Sequence, residues 1–168
     1  LTDDKILTSW NGLAITAFCR GYQVTGEKRF LEAAIKGASF IRQELFRDGK
    51  LTHSYREDKH STGEFLEDYS FLIRGLIDLY ESDVITNNEE WILFAQELAD
   101  KAARLFTSDD GKFYLRPEGE TDLIFRPKEE RDGAIPAAGS IMTWNLLKLN
   151  RITGKNEYLN AAEKSLKS

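Results

Sequence analysis

The chain has 168 residues, 41% hydrophobic and 30% charged, the profile of a globular protein with room for one domain and its core. A net charge of −5 speaks against a nucleic-acid partner, whose phosphates require a surplus of Lys and Arg. No apolar run approaches the ~18 residues of a bilayer span, so no membrane partner is expected.

Cys19 is the one cysteine and lies among apolar neighbours, which predicts a buried structural thiol in a reducing compartment, the cytoplasm. The sequence opens on Leu1 and its one methionine is Met142, so it reads as a piece of a longer protein.

In chain order, helix one is expected from about Ser9 to Thr25, with Gly26 where a helix end favours a left-handed residue. Helix two runs from Glu27 to about Phe46, its apolar residues Phe30, Leu31, Ala34, Ile35, Ala38, Ile41 and Leu45 at helical spacing. Asp48-Gly49 stops it. Alternation over Lys50 to Tyr55 predicts a short strand. Helix three covers about Glu67 to Val84, and helix four Glu89 to Phe106 with Asn87 or Asn88 as N-cap. Phe113-Tyr114-Leu115 and Leu123-Ile124-Phe125, joined by Pro117-Glu118-Gly119-Glu120, read as a β-hairpin over 112–126. Helix five spans about Ala138 to Ile152 with Gly154 as its stop, and helix six starts at Glu157.

A repeat organises these elements. Val24-Thr25-Gly26-Glu27-Lys28-Arg29-Phe30-Leu31-Glu32-Ala33-Ala34 reappears as Ile152-Thr153-Gly154-Lys155-Asn156-Glu157-Tyr158-Leu159-Asn160-Ala161-Ala162. A weaker copy lies between them, with Trp91 where Phe30 and Tyr158 stand. A unit of roughly sixty residues, helix–turn–helix plus a long connection, is a repeat architecture. Helices two and four carry one apolar stripe and one charged face, whereas one, three and five are apolar or small nearly all round. That contrast predicts an outer and an inner layer. The expectation is an all-α fold, a single domain over 1–168 built as an α/α toroid fragment of three helical hairpins, 9–46, 67–106 and 138–168, with short β-hairpin insertions.

Inner-to-outer turns are short and outer-to-inner connections, 47–64 and 108–137, are long. All long connections and inner-helix N-termini therefore fall at one end, where a site is expected. Three polar clusters lie there. Asp4, Lys5, Trp10 and Asn11 belong to the first, Glu67, Asp68 and Tyr69 to the second, and Arg126, Lys128, Arg131 and Asp132 to the third.

Glu67 and Asp68 are the candidates for proton transfer, because a carboxyl beside apolar residues can have its pKa raised into the working range. The alternative is a pair of first-turn acids favoured by the helix dipole. Trp10 and Tyr69 offer faces for a sugar ring, or else pack in the core. Asp4, Asn11 and Asp132 are candidates to hold hydroxyls. Arg126, Lys128 and Arg131 suit an anionic group, unless they are a solvated hairpin end paired with Glu129 and Glu130. His53 and His60 have no Cys or His at ligand spacing, so no metal is expected, and no motif calls for a cofactor.

Asp3-Asp4-Lys5-Ile6-Leu7-Thr8-Ser9-Trp10-Asn11-Gly12-Leu13, the run Phe65-Leu66-Glu67-Asp68-Tyr69-Ser70-Phe71 and its continuation to Glu81, and Leu123-Ile124-Phe125-Arg126-Pro127-Lys128 with Asp132-Gly133-Ala134-Ile135-Pro136 together resemble the spermatogenesis-associated protein 20-like family. Its members join an N-terminal thioredoxin-like domain to a six-hairpin toroid similar to that of N-acylglucosamine 2-epimerases and six-hairpin glycosidases. The resemblance implies three hairpins of six, lacking the thioredoxin-like part. It also implies a carbohydrate-active or carbohydrate-binding role, of epimerase, isomerase or glycoside hydrolase type, with a sugar or sugar phosphate as ligand. One departure is Ala137-Ala138-Gly139-Ser140 where the family tends to show Ser-Gly-Asn-Ser, which removes two polar side chains.

The rival expectation is a non-catalytic helical scaffold serving the thioredoxin-like domain or a protein partner. Open end hairpins further predict self-association of the piece, which by itself is expected to be catalytically silent.

Overall fold

The computed structural model describes residues 4–56, 59–61, 63–83, 89–117 and 132–167. Six helices carry the fold: α1 (Thr8–Thr25), α2 (Lys28–Phe40), α3 (Leu66–Ser82), α4 (Glu90–Phe106), α5 (Ala138–Thr153) and α6 (Asn156–Lys167). They form three hairpins, α1 with α2, α3 with α4 and α5 with α6, and the first helices stand side by side with α3 in the middle. Asp132 and the elements between 118 and 131, Arg126 and Lys128 included, divide at this boundary: Asp132 is described, whereas Arg126, Lys128, Arg131, the second strand of the expected hairpin, and the Asn87 or Asn88 cap lie outside the described residues.

The sequence repeat is a structural one. Gly26 and Gly154 both take the left-handed conformation, φ 70° and 73°, and each N–H reaches the carbonyl four residues back at 2.8 Å, on Tyr22 and Asn150. The threonine before each glycine bonds its own helix through Oγ1, Thr25 to Gly21 and Thr153 to Leu149. The same short stretch thus closes two helices by the same bonds. Trp91 and Tyr158, equivalent in the repeat, are both buried where the second helix of each hairpin begins.

Close approach of α1 and α3 rests on two glycines. A Cβ on Gly12 would stand 2.5 Å from the carbonyl carbon of Phe71, and one on Gly75 would stand 2.8 Å from the carbonyl oxygen of Gly12. Backbone meets backbone there. Farther along, the fully buried Asp78 of α3 accepts from Arg20 of α1 at 2.9 Å and Arg74 of α3 at 3.0 Å. The Arg74 guanidinium lies 3.3 Å over the Trp144 ring of α5. Asn145 of α5 donates to the Ser70 carbonyl at 2.7 Å, so all three inner helices are tied by polar contacts.

Four expectations change. Only α3 is buried on most sides; α1 has α2 and α3 as neighbours, and leaves Trp10, Phe18 and Val24 exposed, so α4 buries more of its length than α1 does. Helix two does not run unbroken to Phe46: Ile41–Leu45 is a π-helical turn, which puts both Ile41 and Leu45 into the core.

The single strand over 50–55 is two. β2 (Phe46–Arg47) pairs with β3 (Lys50–Leu51), while β4 (Ser54–Arg56) lies between β1 (Ile6–Leu7) and β5 (Lys59–His60), all antiparallel. Thr52 and His53 leave the ladder because their backbone groups are engaged elsewhere. The Thr52 N–H donates to Leu45 at 2.9 Å, and the carbonyls of Thr52 and His53 accept from Oγ1 and N–H of Thr8 at 2.6 and 3.0 Å. Finally, Phe113 makes a lone bridge back to Thr107 at the end of α4, where a hairpin strand was expected to run forward.

Candidate functional site

The N-terminus of α1 opens without a side-chain cap of its own: Leu7 at the cap position is apolar and extended. Its first N–H groups need partners, and two other parts of the chain supply them. Thr8 donates to the His53 carbonyl, and Ser9 donates to Asp68 Oδ1 at 2.9 Å. Asp68, in the first turn of α3, therefore caps the neighbouring helix while sitting fully out of solvent.

The second carboxylate oxygen, Oδ2, accepts from His53 Nδ1 at 2.9 Å. Burial pushes the Asp68 carboxyl up to about 6, against the opposing pull of its bonds to His53 and Ser9. The hydrogen bond to Asp68 in turn holds His53 above its ordinary value, desolvation working the other way. The side chain of the pair that meets solvent is His53, a quarter exposed.

Glu67 completes the cluster. Ser9 Oγ approaches its Oε1 at 3.4 Å, and donor atoms of His53, Glu67 and Asp68 all lie within 4.8 Å of one another. A cation could in principle use such donors. Here both Asp68 oxygens already accept hydrogen bonds, and the positive end of α3 points at the cluster.

The remaining expected residues fall in three places. Asp4 pairs with Arg56 at 2.6 Å on the surface, and Asn11 donates to the Leu7 carbonyl at 2.8 Å, one turn back on α1. Lys5 is exposed at the same edge, as is Trp10, 64% exposed in the first turn of α1. Asp132 Oδ1 accepts the Ala137 N–H at 2.8 Å and so caps the entry to α5.

Tyr69 corrects the sequence reading. Its ring is buried edge-on against Phe106, and its hydroxyl bonds Glu64, which also pairs with Lys101. No face is left for a sugar. Asp68 has no exposure either, and its bond towards the surface is the one to His53.

Sequence reasoning placed His53 in a strand and weighed it only as a metal ligand. The available signal was a polar Thr52-His53-Ser54 run inside a long connection at the expected site end.

Comparisons with known proteins agree with this architecture. No family model matches the chain. Spermatogenesis-associated protein 20 of Rattus norvegicus is 36% identical over 170 residues, and that of Homo sapiens 34%, each match covering 94% of this chain. The chain spans about a fifth of those relatives, 21% of their length.

Among solved structures, a family 105 glycoside hydrolase of C. acetobutylicum superposes with a TM-score of 0.79 at 15% identity, over 97% of this chain and 48% of that one. A D-mannose isomerase gives 0.76 at 15% identity, over 96% and 39%. An α-1,6-mannanase of Salegentibacter, a variant inactivated by replacing two consecutive aspartates, gives 0.70 at 16% identity, over 95% and 45%. These likenesses show the fold. Over 94% of its length the chain is thus similar to one segment of spermatogenesis-associated protein 20, and its fold is that of the α/α toroids found in glycosidases and epimerases.

Proposed function

We propose that this end of the domain forms part of a carbohydrate site in which His53 and Glu67 exchange protons with a bound sugar, Asp68 holding the imidazole in place. The observation that carries the reading is the buried Asp68–His53 pair beside a second carboxylate, at the end where the connections and inner-helix N-termini meet. Acid–base work near neutral pH needs groups with proton affinities close to 7; burial brings the Asp68 carboxyl towards that range, and its bond to His53 raises the imidazole above its ordinary value.

Glu67 and Asp68 are consecutive, as are the two aspartates whose replacement silences the mannanase of similar fold. Their spacing within 4.8 Å approaches the ~5 Å of retaining glycosidases. However, both rise from one helix turn and one is buried, so they do not face each other across a cleft. Proton transfer by an oriented imidazole, as an epimerase or isomerase requires, fits this arrangement better than a two-carboxylate hydrolysis. Trp10 would supply a stacking face, with Asp4, Lys5, Asn11 and Asp132 at the rim. Arg126 and Lys128 would meet an anionic group.

The rival scaffold reading draws on the cap that Asp68 makes for α1, a purely structural use of that carboxylate. Calorimetric titration of the protein with neutral sugars, uronates and sugar phosphates separates the two. Binding is expected, with turnover reduced about 100-fold or more by Glu67→Gln and by His53→Gln. Failure of the whole panel to bind would leave the scaffold.

A further inference from the structure

The imidazole of His53 is held on two sides. Its Nδ1 faces Asp68, and its ring packs on Phe65, centroids 4.4 Å apart at 41°. Phe65 in turn lies 4.0 Å under the guanidinium of Arg116. Gly63 completes the packing: a Cβ there would stand 3.0 Å from Phe65 Cε2 and 3.8 Å from Arg116 Nη2. The segment carrying Arg116 is fastened beside α3, because the Leu66 N–H donates to the Leu115 carbonyl at 3.1 Å.

We propose that Phe65 and Arg116 are positioning residues for His53: their stack wedges the ring against Asp68, which fixes Nδ1 as the donor and leaves Nε2 as the nitrogen that exchanges protons. The assignment deepens the reading above and rests on it for any catalytic meaning, but the stack itself stands on geometry. An imidazole bonded at one nitrogen still pivots about that bond unless something packs on its face. Phe65 supplies that face, and Arg116 presses on Phe65 through its cation–π contact.

Charge follows the same layout. Asp68 and Glu67 of α3 favour the protonated ring, and Arg116 of the following connection opposes it. From α1, the groups that meet the pair, Thr8 and Ser9, are uncharged. Removing Arg116 takes away the opposing charge, whereas removing the Phe65 ring frees the pivot.

Nitrogen-15 NMR of the imidazoles across a pH series tests this on the folded chain, with His53 assigned through His53→Asn. For Arg116→Gln the His53 midpoint is expected to rise, and Arg116→Lys should restore it. Phe65→Leu is expected to populate the other tautomer, with Nε2 protonated, while circular dichroism shows the helices intact. A His53 midpoint and tautomer ratio unchanged in both Arg116→Gln and Phe65→Leu, in folded protein, would overturn the proposal. The sugar titrations are a separate readout: NMR effects without sugar binding refute the carbohydrate reading alone, and sugar binding without NMR effects refutes the positioning role alone.

Discussion

Asp68 is the residue where structure and chemistry conflict most. A carboxylate without exposure, beside Leu66 and Tyr69, is costly to ionise, and its carboxyl is raised to about 6 from an ordinary value near 4. The folded state therefore holds a proton on Asp68 that the unfolded state releases, so stability falls as pH rises from about 4 to about 6. His53, also raised, contributes stability that is present below about 6.5 and lost as pH climbs through its folded value. Both work in one direction.

Asp68→Asn removes the Asp68 contribution while keeping an acceptor for Ser9. Denaturant unfolding should show the Asn variant gaining on the parent by about 2 kcal/mol between pH 4 and pH 7. Parallel pH profiles for the two proteins would refute the raised carboxyl. The sequence marked Glu67 and Asp68 as an acidic pair in a first turn. It did not reveal that one is buried and the other half-buried, because that depends on α1 crossing directly over the turn. His53 was illegible for a related reason: its partner lies in another element, and only Thr8, gripping the Thr52 and His53 carbonyls, turns the side chain towards it.

Among the elements, the α1–α3 contact is the tightest, with Gly12 and Gly75 in mutual backbone contact. Gly12→Ala is expected to cost about 2 kcal/mol or more, since the nearest atoms are backbone and cannot step aside. In a domain of this size that lowers the melting temperature by roughly 5 °C. Gly133→Ala, where nothing lies within 4 Å, is the control and should melt as the parent does. Equal melting of all three proteins would mean that the helices are spaced farther apart than described. Helix positions were legible in the sequence to within a residue or two, because apolar spacing and the glycine stops are local signals. The π-helical turn at Ile41–Leu45 and the break in the strand at Thr52 were not. Both answer to distant partners, such as Phe94 packing on Phe46 and α1 taking the Thr52 carbonyl.

At the scale of the whole molecule, α1 packs on α2 and α3 and leaves its remaining side to solvent, with Trp10, Phe18 and Val24 exposed along it, and Leu166 exposed on α6. Apolar faces of this kind attract partners. Light scattering of the chain at rising concentration is expected to show self-association, weakened by combined Trp10→Gln and Val24→Gln; a monomer throughout would refute it. None of the described helices is long and apolar enough to cross a membrane. The layered plan was legible from the repeat, and so was apolar exposure on the end hairpins, which follows from three hairpins with no further neighbours; which residues of α1 stay uncovered was not, since a uniformly apolar helix does not mark its open face. The pair of His53 and Asp68 also belongs to this scale, because one member rides on a connection and the other on the most buried helix. Undocking a connection takes less free energy than melting the core. Warming should therefore separate the imidazole from its carboxylate while every helix is still folded, and the chain would lose its proton-holding pair before it loses its shape.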